Sequence, residues 1–158
     1  MKRSLMMLVP AVLSLTACGG GMTADLVGSY TGTTTYTWER YSFTTTLSST
    51  VDIFDSPDGD IDIVASGRQL GAPPNNPTIT CRLKGKPTMS GFEIEPGAAC
   101  VLEGFWGNCN ATASIISASA VRSAASLTVS VRVQGGGCAG TAGEPDYFSL
   151  RGTLIKTL

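Results

Sequence analysis

The chain has 158 residues, with 11 Lys and Arg, 12 Asp and Glu, and no histidine. This length fits one domain, and a net charge of −1 argues against a nucleic-acid partner, which would need a basic patch. The lack of histidine excludes His-dependent triads and His-ligated zinc. Charged residues make up only 15% of the chain, and the Gly, Ser and Thr that replace them favour strands and turns.

The first 18 residues, MKRSLMMLVPAVLSLTAC, have the layout of an export signal. Lys2 and Arg3 form a positive start, and the apolar run from Leu5 to Leu15 is shorter than the roughly 20 residues of a membrane-spanning helix. The box Leu15-Thr16-Ala17-Cys18 resembles the lipobox of bacterial lipoproteins. That resemblance implies cleavage before Cys18 and lipidation of its thiol, and several acyl chains make such an anchor stable.

The resemblance also implies a location. Gly19 follows the cysteine, where an Asp would often signal retention in the inner membrane, so we expect a lipid anchor in the bacterial outer membrane, on its periplasmic or cell-surface face. The alternative is an ordinary secretory signal that is cut elsewhere. We therefore divide the chain into a signal peptide (1–17), a lipidated flexible tether (18–24) and a single barrel-like domain (25–158).

Beyond the tether, the pattern predicts strands. Period-two alternation is clearest from Tyr41 to Phe54, where Phe43, Leu47 and Val51 share one parity. The other predicted strands include or lie within 27–38, 61–65, 79–83, 92–94, 100–102, 112–119, 127–133 and 148–154. We expect turns at 55–59, 84–87 and 95–97 and a loop at 71–77. The stretch 111–125 is the one helix candidate, and its composition is closer to that of a strand.

These elements predict an all-β fold of about eight antiparallel strands in chain order. An up-and-down, lipocalin-like barrel uses that number and leaves no open edge. We favour this barrel over the alternative of a two-sheet β-sandwich.

Four cysteines remain besides Cys18: Cys81, Cys100, Cys109 and Cys138. An even number in an exported chain predicts two disulfides. Three pairings are possible, and we favour Cys81–Cys100 and Cys109–Cys138 because each would join neighbouring strands. No C-x-x-C pair is present, so we expect no metal site.

The second half is also similar to a loose group of small, uncharacterised β-rich envelope lipoproteins. The similarity is carried by Cys81, Pro96-Gly97, Cys100, Cys138-Ala139-Gly140 and Gly152-Thr153-Leu154. It implies a β fold and supports the favoured disulfide pairing, but it implies no activity.

Two short segments are candidates for chemistry. Asp58, Asp60 and Asp62 have the spacing of the first calcium ligands of an EF-hand, but Ile63 stands where that loop needs glycine, so we interpret the segment as a solvated turn.

Phe105 and Trp106 lie between glycines, and an exposed aromatic pair suits partner binding. The alternative is that the pair plugs one end of the barrel.

We therefore predict a non-enzymatic lipoprotein with a binding or structural role in the cell envelope, with no catalytic residue and no cofactor. The partner would be an envelope protein or a small apolar ligand carried in the barrel. A hydrolase whose carboxylates the sequence does not identify is the alternative.

Overall fold

The computed structural model describes residue 23 and residues 25–71, 78–102, 111–135 and 146–157, without the side chains of 100–102 and 111. No helix in these ranges has the length and apolar character needed to cross a membrane. The regular structure within them is one 3-10 turn, Glu39–Tyr41, and nine strands: β1 (Gly28–Trp38), β2 (Phe43–Asp55), β3 (Ile61–Gln69), β4 (Ile79–Thr88), β5 (Gly91–Ile94), β6 (Ala99–Leu102), β7 (Ala111–Ser123), β8 (Ser126–Gly135) and β9 (Asp146–Thr157).

These strands form a closed antiparallel barrel. The strands from β1 to β5 pair in chain order, β7 pairs with β8, β8 with β9, and β9 with β1. Pairing of β5 with β7 closes the ring. Because β6 pairs with the first residues of β7 while β5 pairs further along it, β5 and β6 together form one of eight positions in the wall. The prediction of an up-and-down barrel, rather than a sandwich, is confirmed.

Alternation places side chains as predicted along most of β2. Leu47, Val51 and Ile53 are buried inside the barrel, since alternate side chains of a strand share one face. Phe43 has the same parity, but its side chain is 51% exposed. It pairs with Trp38 at the end of the β1–β2 ladder, where the wall no longer encloses it.

β7 alternates weakly in sequence because its register shifts. Ala113 and Ile115 are buried at odd positions, whereas Ala118 and Ala120 are buried at even ones. The pairing with β8 skips a residue between Ile115 and Ser117, and such a bulge moves the inward face by one residue. The segment is a strand, and the helix considered for it is not formed.

The turn predicted at 84–87 is wrong. β4 continues to Thr88, and the chain turns at Met89 and Ser90 instead. Gly85 faces inward, where an added Cβ would lie 2.8 Å from Cδ1 of Ile63. This glycine therefore allows close packing between strands rather than a reversal of the chain.

One end of the barrel is filled by large side chains, and we call it the closed end. Tyr30, Ile53, Ile61, Leu127 and Leu154 are almost fully buried there, together with Leu26 from the segment that precedes β1. The Tyr30 hydroxyl donates a hydrogen bond of 2.9 Å to the Leu26 carbonyl. This hydrogen bond fixes the segment before β1 to the closed end of the barrel.

An ion pair and a hydrogen bond hold the same segment from outside. Arg122 Nη2 lies 3.0 Å from Asp25 Oδ2, and Lys156 Nζ donates to the Asp25 carbonyl at 3.2 Å. Residues 1–22 and 24 lie outside the described residues. The signal peptide, the tether and lipidation at Cys18 therefore remain predictions.

Candidate functional site

A cavity of about 170 Å³ lies inside the barrel, between its middle and the end opposite the closed end. We call this other end the open end; there β1 ends at Trp38 and β9 begins at Asp146. None of the described residues that line the cavity carries a charge. Most are apolar, among them Leu47, Val51, Ile63, Ala65, Leu83, Phe92, Ile94, Ile115, Val129, Val131, Val133, Phe148 and Leu150.

Small inward residues account for the hollow. Ala65 and Gly67 occupy successive inward positions of β3, and Ala113 and Ala118 point inward on either side of the bulge in β7. The closed end instead carries a tyrosine and large aliphatic residues. Eight-stranded barrels are just wide enough for side chains to fill the interior, so small residues on facing strands leave space for a ligand.

Aromatic rings cluster at the open end. The rings of Tyr36 and Phe148 stack with their centroids 5.6 Å apart. The ring centroid of Trp38 lies 5.7 Å from that of Phe148 and 4.6 Å from that of Tyr41, and the Trp38 and Tyr41 rings meet edge to face. Burial raises the pKa of the Tyr36 hydroxyl, and the negative charge of Asp146 raises it further, so this group is a neutral phenol at ordinary pH.

The 3-10 turn between β1 and β2 forms ion pairs with β8 and β9 at the rim. Arg132 of β8 donates two hydrogen bonds to the Glu39 carboxylate, at 2.9 and 2.7 Å. Arg40 Nε lies 2.9 Å from Asp146 Oδ1 at the start of β9. The bond from Arg132 lowers the pKa of Glu39. The two pairs join the turn to β9 and β8, which follow β1 in the wall.

Two of the hydroxyl-bearing residues that line the cavity are buried. Thr34 of β1 and Ser49 of β2 line the cavity, with 1% and 6% of their surface exposed. Their side-chain oxygens are 2.7 Å apart, within hydrogen-bond distance. Sequence reasoning missed this pair, although both residues have the parity of the buried positions around them.

The described residues include only some of the cysteines that were predicted to form disulfides. Cys81 faces the cavity from β4 and is disulfide-bonded. The backbone of Cys100 lies in β6, opposite Ala113 of β7, but its side chain is outside the described part of the chain. Cys109 and Cys138 lie outside the described residues altogether, so both pairings remain predictions.

The predicted aromatic site also lies outside the described residues. Phe105 and Trp106 belong to the segment 103–110, between β6 and β7, for which the structure gives no description. Among the aromatic residues that the structure places at the open end, Tyr36 and Trp38 contact the ring of Phe148. Their shared inward parity along β1 and β9 is the sequence signal that could have identified them.

The acidic turn carries an ion pair between Asp58 and Lys84. Lys84 Nζ lies 2.6 Å from Asp58 Oδ2, and the Asp60 N–H points to the Asp58 carboxylate at 3.3 Å. The bond from Lys84 lowers the pKa of Asp58 to about 2. Over the described ranges, no three His, Cys, Asp or Glu side chains are grouped so that they could hold a metal ion.

No protein-family model matches the sequence, and a search of curated proteins finds no match. Two solved structures resemble the barrel. EF1p2_mFAP2b, solved bound to DFHBI, is 17% identical with a TM-score of 0.51, over 87% of this chain and 100% of that one. A redesigned beta barrel, b11L5F_LGL, is 13% identical with a TM-score of 0.46, over 87% and 96% of the two chains. The likeness to EF1p2_mFAP2b shows a common barrel fold.

Proposed function

We propose that this protein binds a small, neutral, apolar ligand in the cavity at the open end of the barrel. The observation that carries the proposal is the uncharged cavity of about 170 Å³ above a floor of fully buried side chains. An engineered apolar cavity of roughly 150 Å³ binds benzene. A ligand of one or two rings therefore matches the space.

The lining determines the chemistry of the ligand. A charged ligand would lose its hydration and find no counter-ion among the described lining residues, which is costly. A neutral ring system instead contributes about 25 cal/mol per Å² of apolar surface that it buries. EF1p2_mFAP2b, a barrel of similar fold, holds the small ligand DFHBI, and that precedent is consistent with a ligand inside this barrel.

We propose a binding protein rather than an enzyme. The Asp58 and Glu39 carboxylates form ion pairs with Lys84 and Arg132, and neither acid lines the cavity. Asp146 likewise pairs with a basic residue at the rim. These acids have structural partners, and none of them faces the space where a ligand would lie.

We further propose that the barrel is held at the bacterial outer membrane through a lipid on Cys18. The segment before β1 packs against the closed end, so an anchor upstream of it would leave the open end facing away from the membrane. Cys18→Ser should abolish lipidation and processing, which mass spectrometry of membrane and soluble fractions measures. A variant that is processed and membrane-bound like the parent would disprove the anchor without affecting the cavity.

The ligand-binding proposal is tested by filling the cavity. Ala65 lines it, between Val51 of β2 and Cys81 of β4, so Ala65→Phe places a ring in the space. Its neighbour Val64 has the opposite parity, and Val64→Phe is the matched control on the outer wall. Naphthalene is a suitable probe, because it is neutral and has two rings.

We expect naphthalene to bind the parent and the control and to raise their melting temperatures, since a ligand that binds only the folded state stabilises it. Ala65→Phe should keep its fold and lose at least tenfold in affinity, about 1.4 kcal/mol. Equal affinity in all three proteins would place naphthalene outside the cavity and overturn the proposal. So would a failure of the parent to bind.

A further inference from the structure

The hydroxyls of Thr34 and Ser49 form a buried, hydrogen-bonded pair in the cavity wall. They lie on adjacent strands, 2.7 Å apart, and both are almost completely shielded from water. Two other cross-strand hydroxyl pairs, Thr37–Thr44 and Thr128–Thr153, are exposed. Water can complete the hydrogen bonding of those pairs, whereas the Thr34–Ser49 pair faces an apolar space.

The Thr34–Ser49 pair has one hydroxyl hydrogen that the bond between the two oxygens does not use. Each hydroxyl has one hydrogen and two lone pairs, and only one of the two hydrogens can lie between the two oxygens. The bond between them is the single hydrogen bond that the described residues give either hydroxyl. One O–H hydrogen and several lone pairs are therefore left for another partner. A buried polar group without one is unfavourable.

Space for that partner lies beside Ser49. Gly67 of β3 stands directly opposite Ser49 in the ladder. A Cβ built on Gly67 would lie 3.6 Å from Ser49 Oγ and 3.3 Å from Leu47 Cδ1. Because glycine has no side chain, this side of the hydroxyl stays open to the cavity.

We infer that the Thr34–Ser49 pair is a polar subsite that holds one hydroxyl or carbonyl group of the ligand. The ligand is then a neutral one- or two-ring compound that carries a single hydrogen-bonding group. This inference rests on the proposed function, since it concerns the same cavity. It adds the chemical feature that selects among apolar ligands.

The test compares naphthalene with 1-naphthol, which differs by one hydroxyl. The double variant Thr34→Val and Ser49→Ala removes both hydroxyls, so that neither is left unpaired. The matched control, Thr35→Val and Ser48→Ala, makes the same changes on the exposed face of the same strands. Dissociation constants for both compounds are measured on all three proteins, together with their melting temperatures.

We expect the parent and the control to bind 1-naphthol at least as tightly as naphthalene. The double variant should weaken 1-naphthol binding about threefold to tenfold and leave naphthalene binding unchanged. If the ratio of the two constants is the same in all three proteins, the subsite is refuted while the cavity remains the binding site. If neither compound binds the parent, the proposed function fails as well.

A second variant keeps the inference testable if the double variant does not fold. Gly67→Ala adds a methyl group 3.6 Å from Ser49 Oγ and covers the open side of the hydroxyl. It should reduce the preference for 1-naphthol while both wall hydroxyls stay in place. An unchanged preference in Gly67→Ala would count against the subsite.

Discussion

Closure of the barrel depends on a glycine at the start of β5. Gly91 pairs with Val121 of β7, in the ladder that joins the two halves of the wall. A Cβ at Gly91 would lie 1.8 Å from the Ala120 carbonyl oxygen and 2.8 Å from the Ala120 carbonyl carbon. Both neighbours are backbone atoms, so no side-chain rotation can relieve the contact. Gly91→Ala must therefore push β5 away from β7.

The expected cost follows from what this ladder holds. β5 pairs with β7 at four positions, and Phe92 and Ile94 within it are 5% and 7% exposed. Overpacking that shifts backbone costs about 1–3 kcal/mol or more, and partial exposure of two large side chains adds to it. We expect a loss of about 3 kcal/mol. For a domain of this size, that lowers the melting temperature by about 10 °C.

Gly59→Ala is the control, measured by the same thermal and urea unfolding. Gly59 has a φ of +87° but no atom within 4 Å of an added Cβ, so it loses only about 1–2 kcal/mol of backbone preference. Equal melting temperatures for the two variants would refute the reasoning that a steric collision at the β5–β7 ladder dominates. A larger loss for Gly91→Ala is the predicted result.

Three further changes can be measured on the purified domain. Tyr30→Phe removes a buried hydrogen bond to a backbone carbonyl and should cost about 1–2 kcal/mol in urea unfolding. Pairing with Lys84 lowers the pKa of Asp58 from 3.8 to about 2. The ion pair therefore stabilises the fold at pH values above 3.8, and this stabilisation is lost as the pH falls toward about 2. Lys84→Gln should reduce the acid dependence of the stability. Mass mapping of the unreduced protein should show Cys81 linked to Cys100, and reduction should cost about 2–5 kcal/mol; free thiols would contradict that pairing.

The barrel could be predicted because alternation is a local signal. β8 carries an apolar residue at every second position from Leu127 to Val133, and Leu47, Val51 and Ile53 share one parity in β2. The Asp55–Gly59 segment marks the reversal after β2. The failures have local causes too. The bulge in β7 moves the buried face from Ile115 to Ala118, which no two-residue period describes, and Gly85 indicated a turn although it serves packing against Ile63.

The cavity could not be predicted, because it depends on which residues face each other. Ala65 and Gly67 leave space only because Ala113 and Ala118, far away in the sequence, also point into the barrel. The Thr34–Ser49 pair likewise needs the β1–β2 register to bring its oxygens together. Strand parity predicts that a residue points inward, and only the closed topology determines what it meets there.

The most direct test of ligand binding inside the barrel is methyl NMR of the protein with naphthalene. Ring-current shifts should be largest for Ala65, Val131 and Leu150, which line the cavity, and small for the exposed Val121 and Ile155 on the outer wall. Saturable shifts confined to the interior methyls are the predicted result. Shifts that are largest on the outer wall, or no saturable shifts at all, would contradict it.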